Sequence, residues 1–234
     1  AIVTGSARRT GRMIAHKFAD AGASVMISAR GAQAEAEEVA REIEAKHGKG
    51  RAAVQLANVM EPAQVDTLVA RTLDTFGRID ILVNNASVRR HGDFASYKLD
   101  DWHDVVRTTL DGTFLCSRAA APHLAKGTDP CIINIGGVSA HTGAKNSFAM
   151  ITAKAGLLGL TRSLAHELGG MGITVNCVAP ASMRAPDDDA ANVARLNSIY
   201  GHDKVPLGRS GTMAEVSEAI VSLCGPQWRY MTGQ

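Results

Sequence analysis

Lys154 lies in an apolar stretch, Met150-Ile151-Thr152-Ala153-Lys154-Ala155-Gly156, whose composition reads as a helix. Residues four apart share a helix face, so Met150 and Lys154 point together. An ammonium group donates hydrogen bonds and moves protons, whereas the thioether beside it has no proton to give. Ser147 is seven residues before Lys154, near two full turns, and is expected on the same face. An alcohol is a poor acid near neutral pH, so Ser147 cannot deliver a proton unaided. Ser139 and His141 follow an apolar run, and the imidazole has an intrinsic pKa suited to proton transfer. A second group opens the chain: Gly5, Ser6, Arg8, Arg9 and Gly11, between a short apolar run and an amphipathic segment. Glycines there let a phosphate approach the backbone and rest on the N-terminus of the following helix. Arg8 and, further on, Arg30 offer planar forks of donors that match a phosphate. Metal chemistry is not expected. Cys116, Cys131, Cys177 and Cys224 form no Cys-x-x-Cys pair, and His166-Glu167 lacks a second histidine in register.

Such residues need a scaffold, and the rest of the chain supplies its pattern. Short apolar runs alternate with amphipathic segments, as in a parallel sheet covered by helices. Strands are expected at residues 1–4, 24–28, 52–56, 79–84, 131–135 and 173–179. Helices are expected at residues 12–21, 35–47, 61–76, 101–126, around Lys154, and 212–223. Pro62 opens one helix, and Thr212 with Glu215 forms a capping box for the last. The fold class is α/β, a three-layer doubly wound Rossmann-type parallel sheet with helices on both faces, in one domain across residues 1–234. Residues 181–205, with Asp187-Asp188-Asp189, read as a lid loop.

Thr4-Gly5-Ser6-Ala7-Arg8-Arg9-Thr10-Gly11, Asn84-Asn85-Ala86, Asp111-Gly112-Thr113-Phe114, Lys154-Ala155-Gly156 and Pro206-Leu207-Gly208-Arg209 stand in one order and spacing. With them the chain resembles the short-chain dehydrogenase/reductase family over nearly its whole length. The resemblance implies a nicotinamide cofactor held by Gly5, Ser6, Arg8, Arg9, Gly11, Arg30, Asn58, Val59, Asn85, Ala86, Lys154 and Pro180. It implies NADP(H) rather than NAD(H), because Ala29 and Arg30 stand where an acid would hold the ribose 2′-hydroxyl. The family's catalytic asparagine, serine and tyrosine fall on Thr109, Gly137 and Met150, leaving only the lysine, Lys154. Arg9, Ser87 and Ala181 stand where the family has glycines, and Asn58 stands where it has an adenine-contacting aspartate, with an amide oxygen that can still accept. In the family a further strand follows the position of Gln234, and a few residues precede that of Ala1.

A formal charge of +2 gives no reason to expect nucleic acid or an anionic membrane as partner. No apolar run approaches membrane-spanning length, no signal peptide is expected, and four isolated cysteines suit a reducing cytoplasm. The leading expectation is an atypical NADP(H)-dependent oxidoreductase that transfers hydride to or from a small carbonyl, alcohol or activated alkene. Lys154, His141 or water would carry the proton, with Ser147 a further substitute. The alternative is a catalytically inactive dinucleotide-binding pseudoenzyme, a sensor or a partner subunit. Family resemblance implies a homotetramer or homodimer through residues 101–126 and 148–168.

Overall fold

Alternation of side chains across each strand explains how one sheet serves two cores. Ile2, Met26, Leu82 and Ile132 enter one buried cluster, while their neighbours Val3, Ile27, Val83 and Ile133 enter another. The strands are β1 (Ile2–Thr4), β2 (Val25–Ser28), β3 (Ala52–Val54), β4 (Ile81–Asn84), β5 (Cys131–Ile135) and β6 (Thr174–Val178). They form one parallel sheet in the order β3-β2-β1-β4-β5-β6. This computed structural model describes residues 1–185, 188–191, 193 and 205–234. The expected lid therefore falls largely outside the described residues.

On one face lie α1 (Arg9–Asp20), α2 (Gln33–His47) and α8 (Met213–Leu223), which bury Ile14, Phe18, Val39, Ile43 and Ile220. On the other lie α3 (Pro62–Phe76), α5 (Gly112–Leu124) and α7 (Phe148–Gly169), which bury Val65, Leu68, Cys116, Leu124 and Ala165. Each Ile, Leu, Val or Phe among these contributes about 1.5–3 kcal/mol when fully withdrawn from water. The expected α/β three-layer arrangement is what the chain adopts. Thr212 accepts from Glu215 N and the Glu215 carboxylate accepts from Thr212 N, so the expected capping box closes α8. Beside it, β7 (Met183–Arg184) pairs with β8 (Gly211–Thr212).

Two expectations need correction. The first helix begins at Arg9, three residues early, because it starts directly at the glycine-bounded turn. The long helix expected over residues 101–126 is not continuous. Helix α4 (Leu99–Val106) runs into a π-helical turn, Arg107–Asp111, before α5. That turn buries Thr108 and Thr109, and a π turn of this kind commonly marks a functional position. At the far edge, Gly233 N donates to Val175 O at 2.8 Å and Cys177 N donates to Gln234 O at 2.7 Å, so residues 233 and 234 run beside β6.

Candidate functional site

Sequence order runs outward from β1 to β3 and then returns to β4 on the other side, so the crevice opens between β1 and β4. The two loops there are stitched together. The Thr4 hydroxyl accepts from Asn85 N and Ala86 N, each at 3.0 Å, and Asn85 Nδ2 donates to Thr4 O and Gly5 O at 2.9 and 3.0 Å. Gly11 is obligatory for this packing: a Cβ there would lie 2.2 Å from Gly5 O and 2.5 Å from Asn85 Nδ2. Gly5 adopts φ +64°, the left-handed region glycine enters without strain.

Gly5, Arg8, Arg30, Asn58, Val59 and Ala86 line one open cleft, with Ala29, Ala57 and Thr108 on its walls. Arg8 and Arg30 are exposed at its rim. Arg8 is paired with Glu35, and Arg30 Nη1 lies 3.3 Å from Asp104 Oδ1. Both pairs are solvated and weak enough for a phosphate to compete. Ser6 is placed differently from a ligand contact. Its hydroxyl donates to Val3 O at 2.7 Å and accepts from Ser28 N at 2.9 Å, and its N–H donates to Ser28 O, so it clasps β1 to β2. Asn58 Oδ1, the expected acceptor, already accepts from Met60 N at 3.2 Å. Arg9 holds φ +49°, a conformation that favours glycine, and its guanidinium reaches Asp188 Oδ1 at 3.5 Å. Pro180 O accepts from Val138 N at 3.0 Å, which fixes the backbone after β6 against the backbone after β5.

The other end of the site surrounds Lys154. Its side chain is buried on α7 and Nζ donates to Ile135 O at the end of β5. Burial, with the positive charge of Arg89 nearby, lowers its pKa from an ordinary 10.5 to about 8. No carboxylate pairs with it among the described residues. Met150 packs with Val105 and Ala149, against Val88, Tyr97, Trp102 and Phe148. It fills volume in an aromatic cluster in which Phe148 meets Tyr97 at 4.7 Å and Phe94 at 5.1 Å. Gly137 faces open space: a Cβ there meets only Ser139 Oγ, at 3.9 Å. The buried Thr109 hydroxyl makes no hydrogen bond to a described residue. Behind the site, Asn84 Nδ2 donates to Asn134 Oδ1 and Ser117 Oγ, and Asn134 Nδ2 donates to Thr161 Oγ1, which ties β4 and β5 to α5 and α7.

Ser147 does not share the Lys154 face by helical geometry. It is the N-cap residue at φ −131°, outside the helix, and its Oγ lies 3.1 Å from His91 Nδ1. His91 escaped the sequence reading, although it sits in the loop after β4 on the carboxyl side of the sheet, where ligands bind. His141 is exposed on the four-residue α6 (Ser139–Thr142), and its ring hydrogen-bonds no described residue. Among the described residues no group of His, Cys, Asp and Glu is placed to hold a metal, and no helix is long and apolar enough to cross a membrane.

A parallel sheet whose strand order reverses beside a glycine-bounded loop defines a Rossmann-type α/β protein. Residues 5–234 match the family described as enoyl-(acyl carrier protein) reductase. The chain is 35% identical over 234 residues to the 3-oxoacyl-(acyl-carrier-protein) reductase FabG of Staphylococcus aureus, covering 100% of this chain and 94% of that protein. It is 35% identical over 235 residues to subunit BbsD of a hydroxy(phenyl)methyl-succinyl-CoA dehydrogenase from Thauera aromatica, covering 100% and 92%. A crystal structure of a short chain dehydrogenase from Bacillus anthracis superposes with a TM-score of 0.84 at 30% identity, over 99% of this chain and 91% of that one. The chain therefore belongs to the short-chain dehydrogenase/reductase family of oxidoreductases.

Proposed function

We propose that this protein is an NADP(H)-dependent oxidoreductase acting on 3-oxoacyl or 3-hydroxyacyl thioesters, with Lys154 as its proton-transfer group. The observation that carries this reading is a buried, carboxylate-free Lys154 whose Nζ sits on the Ile135 carbonyl, two residues before the open space at Gly137. The thioester class rests on the names of two relatives, one a 3-oxoacyl reductase and one a succinyl-CoA dehydrogenase subunit.

The cleft suits an adenosine on its alanine-lined walls, and Arg8 and Arg30 at its rim suit a 2′-phosphate. When bound, the reduced dinucleotide supplies the hydride. The chain supplies the proton: the ammonium of Lys154 protonates the carbonyl oxygen as its carbon is reduced, and an alcohol results. Met150, packed among apolar and aromatic side chains, has no proton to give and takes no part in the proton's path. Assembly as a homodimer or homotetramer through α4, α5 and α7 is part of the same reading, supported by the exposed Leu99 and Phe114 on those helices.

Single-turnover oxidation of NADPH by acetoacetyl-coenzyme A tests it. NADPH is expected to bind more tightly than NADH and to be consumed. Tight NADPH binding with no consumption favours the second reading, a dinucleotide-binding subunit without turnover. That reading draws on the apolar packing of Met150 and on BbsD, a relative named as one subunit of a dehydrogenase. No binding of either dinucleotide contradicts both.

A further inference from the structure

Gly137 has no side chain, yet the space in front of it is not without a hydroxyl. A Cβ placed on Gly137 would meet a single group within 4 Å, the Ser139 Oγ at 3.9 Å. Ser139 is half-buried, and its hydroxyl makes no hydrogen bond with the described residues. It is therefore free to turn toward a ligand. The backbone around it is not free. Gly136 N donates to Val178 O at 2.8 Å, Val138 N to Pro180 O at 3.0 Å, Ala140 N to Gly137 O at 3.0 Å and Gly143 N to Ser139 O at 2.9 Å. These bonds fix the Ser139 Cα against β6 and leave only the side-chain rotor mobile. Lys154 Nζ holds the carbonyl of Ile135, two residues before Gly137, so the lysine and Ser139 flank the Gly136-Gly137 segment.

We propose that Ser139 supplies the hydrogen-bond donor that Gly137 lacks, polarising the carbonyl oxygen of the substrate from a position two residues along the chain. This rests on the reductase reading above. In the reaction the carbonyl π bond breaks as carbon receives the hydride of the reduced dinucleotide, which leaves oxidised. The oxygen takes its proton from Lys154, and Ser139 donates a hydrogen bond to that oxygen without losing its proton.

Ser139→Ala and the double variant Gly137→Ser with Ser139→Ala test the idea. Ser139→Ala is expected to lower kcat for acetoacetyl-coenzyme A by about 100-fold, the scale for loss of one oxyanion donor. KM and NADPH affinity should stay within about twofold, because the hydroxyl strengthens its bond only as charge develops. The double variant should recover most of the lost rate, which a structural role for Ser139 would not allow. A second readout needs no turnover. The infrared carbonyl stretch of isotopically labelled acetoacetyl-coenzyme A on the NADP-loaded protein should rise in Ser139→Ala and fall again in the double variant. Unchanged kcat and an unshifted stretch in Ser139→Ala overturn the assignment while leaving the reductase reading intact. Failure of the thioester to bind the wild-type NADP complex overturns both.

Discussion

Around β1 and β4 the site is made by glycine turns held by a Thr4–Asn85 clasp; around β5 and α7 it is made by the groups that would face a substrate. At the first end, Gly5, Gly11, Thr4 and Asn85 lock two loops together, and Ala29, Ala57 and Thr108 wall the cleft. At the second, the proposed chemistry rests on Lys154, Gly137 and Ser139, with Met150 one turn before the lysine on α7. Backbone geometry tolerates changes of side chain, so Arg9 can sit at positive φ without undoing the turn. Side-chain chemistry has no such tolerance, because one missing hydroxyl removes a step.

Four variants sharpen this contrast. Lys154→Met should have the largest effect on rate, a loss of about 1000-fold or more in single-turnover NADPH oxidation, the scale for removing a general acid. It should not unfold the protein. Burial holds the lysine pKa at about 8 against an ordinary 10.5, a cost of about 3 kcal/mol while the lysine is charged in both states, below pH 8. Calorimetry should find Lys154→Met at least as stable as wild type near pH 7. As pH rises from 8 toward 10.5 the folded wild type sheds this proton before the unfolded chain does, so its own stability should rise and the difference should narrow.

Gly11→Ala probes the other end. A Cβ 2.2 Å from a carbonyl oxygen forces the two loops apart, and denaturant titration should show a loss of about 2–4 kcal/mol. Replacing Arg8 and Arg30 together with alanine should weaken NADPH by about 30-fold with little change for NADH, read by fluorescence titration. Equal losses for both dinucleotides would contradict the 2′-phosphate assignment. Arg9→Gly should have the smallest effect. Relief of positive φ, about 1 kcal/mol, is offset in part by loss of the Asp188 contact, so thermal melting should move by only a few degrees.

Much of this contrast was already present in the residue pattern. The six strands, the capping box at Thr212 and the glycines of the first turn follow from local periodicity and local turn chemistry. So does the absence of an acid after β2. Features formed between distant loops were not legible. His91 meets Ser147 across 56 positions of sequence, and Arg9 meets Asp188 across 179. The π turn around Thr109 was hidden because the apolar periodicity of a helix passes through it with little change. Ser147 lies one residue before α7 begins, so the helical repeat that reaches Lys154 does not extend to it. Ser139 drew attention only as a loop residue, since its value depends on the empty space at Gly137.

The pH profile of single-turnover NADPH oxidation with acetoacetyl-coenzyme A tests most directly whether Lys154 is the proton donor. A donor must be protonated, so the rate should hold below pH 8 and fall tenfold per unit once pH passes about 8. A rate independent of pH from 6 to about 10, or one abolished by no substitution at Lys154, would contradict the account.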